Sequence, residues 1–220
     1  MSITGAIGVD NTSLKRVYLQ HRNPKHPLGR VFQTDDNGCV TLPKVSDFTG
    51  EITVTVFCQN PVVRILDGDN FGFPLIQEVS FRDGETVQIM GSKSRHFQVL
   101  QQCLDAYDLG LKEFPPYNQE ERGAFPFCRR RTLEETMCSL PCVELSFPDH
   151  FPSPLSFVEP ASARTGFPLM RIKDYDRRLF DSDICKRTLI PHELSHALHF
   201  AFLPLQLRIA IEVKYALWLA

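Results

Sequence analysis

The run from Thr188 to His196, T-L-I-P-H-E-L-S-H, constrains this chain more than any other segment. It carries the pattern H-E-x-x-H. Ala197, Leu198, Phe200 and Ala201 follow it and favour a helix. Residues four apart share one helix face, so His192 and His196 point the same way. Two neutral imidazoles at that spacing can grip one Zn²⁺ at about 2.0–2.1 Å each, leaving a position for water. Glu193 stands beside that position. A carboxylate there can take a proton from water and later deliver it to a leaving amine. The fold must therefore pack one side of this helix and keep the other open. The competing reading is a structural helix with two satisfied core histidines.

The helix bounds follow from its punctuation. Thr188 is expected as the N-cap, with Pro191 in the first turn, where its missing N–H has no partner to lose. Pro204 ends the helix near Phe202 or Leu203. A catalytic zinc site needs a third protein ligand. His199 shares the face of His192 and His196, yet it lies about 10 Å along the axis from His192, too far for both to reach one ion. It reads as a neighbour of the site. Glu212 is the stronger candidate, because residues 205–220 read as a second helix that can return antiparallel over the first. The alternative for Glu212 is a surface pair with Arg208, four residues earlier. The chain ends on the apolar run 215–220 with no polar tail, which suggests an incomplete chain, so a ligand beyond Ala220 stays open.

The segment from His192 to His196 resembles the active-site helix of the zincin metallopeptidases. The resemblance implies that His192 and His196 are zinc ligands and Glu193 the general base of peptide hydrolysis. The downstream Glu212 resembles the glutamate ligand of the gluzincin branch, although its distance from His196 is shorter than usual there. The glycine and third histidine of the metzincin pattern are absent. The firm resemblance covers residues 188–200 only.

Residues 1–90 read as all-β. Short runs rich in Val, Ile, Thr and Phe predict strands at 15–21, 29–34, 39–42, 51–58, 62–66, 76–81 and 86–90. Turn residues separate them, notably Asp35-Asp36-Asn37-Gly38, Asp67-Gly68-Asp69-Asn70 and Arg82-Asp83-Gly84. Asp67 to Asn70 offers oxygen ligands but lacks the rest of a calcium loop, so a turn is expected. The spacing suggests a small β-sandwich. Residues 15–60 resemble the transthyretin-like domains that accompany some carboxypeptidases, which implies an accessory role in folding or binding. A helix is expected over 97–109, closed by Gly110, and a capping box at Thr132 to Glu135 predicts another. Residues 141–168 are rich in Pro and Phe and read as an extended loop. Residues 167–172 read as a strand; the zincin resemblance implies that an extended substrate could join its edge, and the alternative is a core strand with no substrate contact. The expected fold is α+β: a β-sandwich over 1–92, then a zincin-like domain over 93–220 whose C-terminus reads as cut short.

Composition excludes several classes. A hydrophobic content of 43% and a charged content of 23% describe a globular chain. A net charge of −2 offers no basic balance for nucleic acid, and Arg129-Arg130-Arg131 is followed closely by Glu134 and Glu135. No apolar run reaches membrane-spanning length. Seven cysteines, an odd number, spread along the chain read as free thiols. With no charged and apolar leader at the N-terminus, a cytoplasmic location is expected, or secretion if the chain is trimmed. The expected function is a zinc-dependent peptidase acting on a peptide or protein. The alternative is a non-catalytic binding protein in which the β-sandwich recognises a partner and the zincin-like half is inactive or incomplete.

Overall fold

A computed structural model describes residues 2–21, 31–43, 50–70, 73–111, 143–152, 157–159, 168–173 and 183–202. The chain begins with β1 (Ser2–Val9), β2 (Thr12–Ser13), β3 (Tyr18–His21), β4 (Val31–Gln33) and β5 (Cys39–Pro43). Next come β6 (Ile52–Phe57), β7 (Val63–Asp67), β8 (Phe73–Pro74), β9 (Ile76–Phe81) and β10 (Thr86–Ile89). Helix α1 (Ser94–Ala106) follows and runs into a π-type turn at Tyr107–Leu111. After it stand β11 (Val143–Phe147), β12 (Phe157–Glu159), β13 (Leu169–Arg171) and helix α2 (Asp183–Phe202). The architecture is mixed α+β and rich in strands. None of the helices described is long and apolar enough to cross a membrane.

Two four-stranded sheets form from the first ninety residues. One has the order β10-β1-β2, with β5 also paired to β1. The other has the order β4-β3-β6-β9 and is antiparallel throughout. Alternation decides their inner faces. Ile3, Ile7 and Val9 of β1 are buried, and Leu19, Val54, Val56 and Phe81 join them in one core. Gly5 leaves room for Phe81: a methyl group there would stand 2.5 Å from its ring. The turn at Asp35 forms as expected, with its carboxylate accepting the N–H groups of Asn37 and Cys39 at 2.8 Å each. β1, the strand on which its whole sheet is built, lies outside the strands expected from the sequence. Gly5, Ala6 and Gly8 are poor strand formers, and tertiary pairing on both edges overrides that propensity.

The third sheet has the order β12-β13-β11-β7-β8. Val63–Asp67 pairs in parallel with Val143–Phe147, and β13 pairs in parallel on the other side of β11. The hydrogen bonding thus crosses residue 92, where the sequence placed its boundary. β7 is buried along its full length, as an inner parallel strand should be, and nothing in its five residues names its partner. The segment 141–168, expected as a loop, contributes both β11 and β12. The strand expected to offer an edge, 167–172, is internal instead: β13 lies between β11 and the antiparallel β12. Among the described strands, β12 stands at the border of the sheet.

Helix α1 packs against β7 and β1, and α2 lies beside it against β11, β12 and β13. Phe97, Leu100, Cys103 and Leu104 give α1 its buried side. Asn60 ties the start of β7 to this helix. Its side-chain oxygen accepts the N–H groups of Val62 and Val63, and its side-chain NH2 donates to the Leu100 carbonyl at 3.3 Å. Inside the sheet, Arg64 of β7 and Glu144 of β11 are register partners and form a buried ion pair. At the strand ends Gly68 is required: a Cβ there would meet the Pro148 carbonyl oxygen at 1.8 Å. Asp67 closes the adjoining 3-10 turn by accepting the Asp69 N–H at 3.1 Å, so this segment is the turn that was expected.

A buried charge left alone is costly, whereas two well-packed apolar replacements are tolerated. Glu144→Ala is expected to destabilise the fold by about 3–5 kcal/mol, and Glu144→Leu combined with Arg64→Met by much less. Urea unfolding followed by circular dichroism measures both.

Candidate metal centre

Helix α2 starts at Asp183, earlier than expected, and ends at Phe202, as expected. Thr188 is therefore inside the helix and not its N-cap, and Pro191 lies beyond the first turn. Proline there removes one backbone hydrogen bond and crowds the preceding turn, a cost of about 3 kcal/mol. Packing offsets it. Ile190, Leu194, Ala197 and Leu198 recur at helical spacing and are all buried against the core. The same periodicity turns His192 and His196 to the opposite, exposed side. Ser195, between them, donates its hydroxyl back to the His192 carbonyl at 2.7 Å.

The two imidazoles converge. Their Nε2 atoms are 3.3 Å apart, with ring centroids at 4.7 Å and planes at 85°. Two ligands each at about 2.0–2.1 Å from a tetrahedral zinc stand about 3.3–3.4 Å apart, so the pair has the spacing of two ligands of one ion. The same distance also admits a weak N–H···N hydrogen bond between neutral rings. Glu193 is buried at 7% exposure on the adjoining flank of the helix. Burial pushes its carboxyl above the ordinary range, and the neighbouring His192 opposes that shift. A carboxyl held up in this way is a better proton acceptor than a fully solvated one.

Among the described residues no group of three or more His, Cys, Asp or Glu side chains forms a metal site. His192 and His196 would supply at most two ligands of such a site. Glu212 lies outside the described residues, as does the second helix expected around it, and so does the side chain of His199. The cysteines that are described, Cys39, Cys58 and Cys103, are free thiols. Burial pushes Cys58 and Cys103 well above the ordinary thiol range, which makes both inert as ligands or nucleophiles.

A charged clip at the ends of β11 and β13 was not foreseen. Arg171 donates to Glu159 of β12 at 2.7 Å and to Asp149 at 3.0 Å. Lys173 approaches Asp149 at 3.6 Å and donates to the Phe151 carbonyl. Asp149 also receives the Phe151 N–H at 2.9 Å and donates its own N–H to the Ile172 carbonyl at 2.9 Å. The clip fastens β12 to β13. Its residues are scattered over the sequence, so no spacing announced it.

Two predictions follow from these contacts. Zinc binding to the purified chain is expected to weaken by at least about 10-fold in His196→Ala, measured by competition with a chromogenic chelator. For Asp149, burial raises the carboxyl, and hydrogen bonds from Ser146, the Phe151 N–H and Arg171 outweigh it, so the folded value falls below the ordinary one. A lowered value stabilises the fold fully above about pH 4 and loses that contribution as pH falls through the folded value. Asp149→Asn is expected to be less stable at neutral pH and to show a shallower acid limb below about pH 4 in circular dichroism.

No protein-family model, no curated protein and no solved structure matches this chain, so its own sequence and geometry carry the reading of the site.

Proposed function

We propose that the chain is a zinc-dependent peptidase, with His192 and His196 as metal ligands, Glu193 as general base and Glu212 completing the ligand set. The single observation that carries the proposal is the convergence of two exposed imidazole nitrogens at 3.3 Å beside a buried carboxyl. Bound zinc would lower the pKa of its water and polarise the scissile carbonyl. The chain's own residues do the rest. His192 and His196 offer Nε2 lone pairs to one point, on a helix whose far side is locked in the core. Glu193 accepts a proton from the attacking water and passes it to the leaving amine. Its burial keeps the carboxyl out of bulk water, where it would lose basicity.

The position of α2 against the border strand suits an extended substrate. A peptide needs only free backbone groups to add to an edge. β12 supplies that edge in this proposal, and Arg171 holds it through Glu159. The first two sheets, read as a β-sandwich, serve as the accessory module. A binding protein with a silent zinc pair is the second reading, favoured by the lack of a third ligand among the described residues.

Glu193→Gln separates the two. Under the proposal it keeps stoichiometric zinc and loses at least about 100-fold in cleavage of an unfolded protein substrate. Zinc retention with undiminished cleavage would remove Glu193 from the reaction. Zinc retention with no cleavage by the unaltered chain would leave the binding reading in its place.

A further inference from the structure

Helix α1 is entered through a lightly held segment. Met90, Gly91 and Ser92 are exposed and Lys93, Ser94 and Arg95 half-buried, so His96 is the first buried residue after Ile89. Neither the 3-10 turn Gly91–Lys93 nor α1 has a side-chain cap. The turn is closed by backbone, with the Ser94 N–H donating to the Gly91 carbonyl. One exposed tether runs from Lys93 Nζ to the Ile76 carbonyl at 2.8 Å. Gly91 has a φ of +84°, which favours glycine, and a Cβ there would meet nothing within 4 Å. A cleft of about 840 Å³ lies alongside, lined in part by Gly91, Ser92, Ser94 and Phe147. The segment thus has a permissive hinge at its start and space on one flank to move into.

His96 fastens this segment to the sheet. Its side chain is 9% exposed. The Phe147 ring at the end of β11 meets it edge to face, with centroids 5.4 Å apart and planes at 78°. On the β7 side an Asp67 oxygen stands 3.9 Å from its Nε2. The backbone carbonyls of Phe147 and Ser92 also face the ring. The sheet side has no room to yield, because a Cβ on Gly68 would already meet the Pro148 carbonyl oxygen at 1.8 Å. Any opening therefore falls on the α1 side.

Charged groups reach the ring from each element around it. Asp67 ends β7, and Asp69 follows in the 3-10 turn, where it pairs with His150 at 2.7 Å. From its own helix, Arg95 approaches the same Phe147 ring, its guanidinium 5.8 Å from the centre. A neutral imidazole has one N–H and donates to one acceptor at a time. A protonated ring donates at both nitrogens but carries a charge into the interior. Burial decides between these effects. It pushes the seated His96 below the ordinary histidine value, and Asp67, the Phe147 carbonyl, Asp69 and the Ser92 carbonyl offset it only in part. A ring released to water takes up a proton near pH 6.5. The seated form is therefore fully stable above about pH 6.5 and loses stability as pH falls through that value towards the folded one.

We infer that the start of α1 is an acid-operated latch: His96 seats residues 91–97 against the ends of β7 and β11 at neutral pH and releases them on acidification, while the first two sheets and α2 stay in place. The inference does not rest on the peptidase reading, because it uses no residue of α2.

Hydrogen exchange of the full chain, followed by mass spectrometry at about pH 7.5 and about pH 5 and corrected for the intrinsic pH dependence of exchange, tests it. Peptides covering 91–99 are expected to lose at least about 3-fold in protection at the lower pH relative to peptides covering β1 and β6. His96→Gln, which cannot titrate, is expected to abolish that relative loss. Asp67→Asn keeps an acceptor for the Asp69 N–H but removes the nearest charge that offsets burial, so it is expected to deepen the loss. If His96→Gln does not fold, as circular dichroism would show, Asp67→Asn carries the test through the direction of its effect. Protection of 91–99 that does not fall relative to β1 and β6 in the unaltered chain would overturn the inference. So would an equal loss in His96→Gln, or a loss unchanged or smaller in Asp67→Asn.

Discussion

Parallel pairing of β11 between β7 and β13 is the constraint on which the rest depends. It joins residues about eighty positions apart, so its closure entropy is large and its hydrogen bonds must be matched along the full strand. Val143, Leu145 and Phe147 alternate with Glu144 and Ser146, and all five are buried. A charged residue in that run has to find a partner, and Arg64 in the matching register is that partner. A slip of one residue would put Glu144 against an apolar neighbour and expose its charge to a medium that cannot solvate it. The ion pair thus contributes to register more than to net stability.

Once the sheet is set, the placement of both helices follows from it. The two helices lie side by side over it, and each presents its apolar side to the strands. For α2 this leaves His192 and His196 facing outward while Ile190, Leu194 and Leu198 are held beneath them. The geometry of the imidazole pair is thus a consequence of packing on the other side of the same helix. For α1 the sheet sets where its first turn stands, beside the ends of β7 and β11, with His96 wedged against Phe147.

The sequence reading succeeded where chemistry was local and failed where it was distributed. The strands from Tyr18 to Ile89, except the short β8, were legible because alternation and turn residues act within a few positions. The helix over 97–109 was legible for the same reason, although it starts earlier, at Ser94. β1 was hidden by its glycines and alanine, whose weak propensity is overridden by partners on both edges. β11 and β12 were hidden by the prolines around them. The N-terminus of α2 was misplaced because Pro191 reads as a first-turn residue, and only packing of Ile190 and Leu194 makes the longer helix worthwhile. His96 carried no motif at all, and its burial against Phe147 emerges only when β7, β11 and α1 meet.

The sequence alone determined which residues could clasp a metal: a four-residue spacing on any helix puts His192 and His196 on one face, because the helix repeat is a property of the backbone. It also determined the alternation that buries one side of each early strand. Tertiary structure alone decided that β7 leaves its sequence neighbours to pair with β11, that β12 and not β13 borders the sheet, and that His96 is buried against Phe147. Those outcomes depend on backbone hydrogen bonds between distant segments, and the backbone is the same at every residue, so no side-chain pattern could announce them.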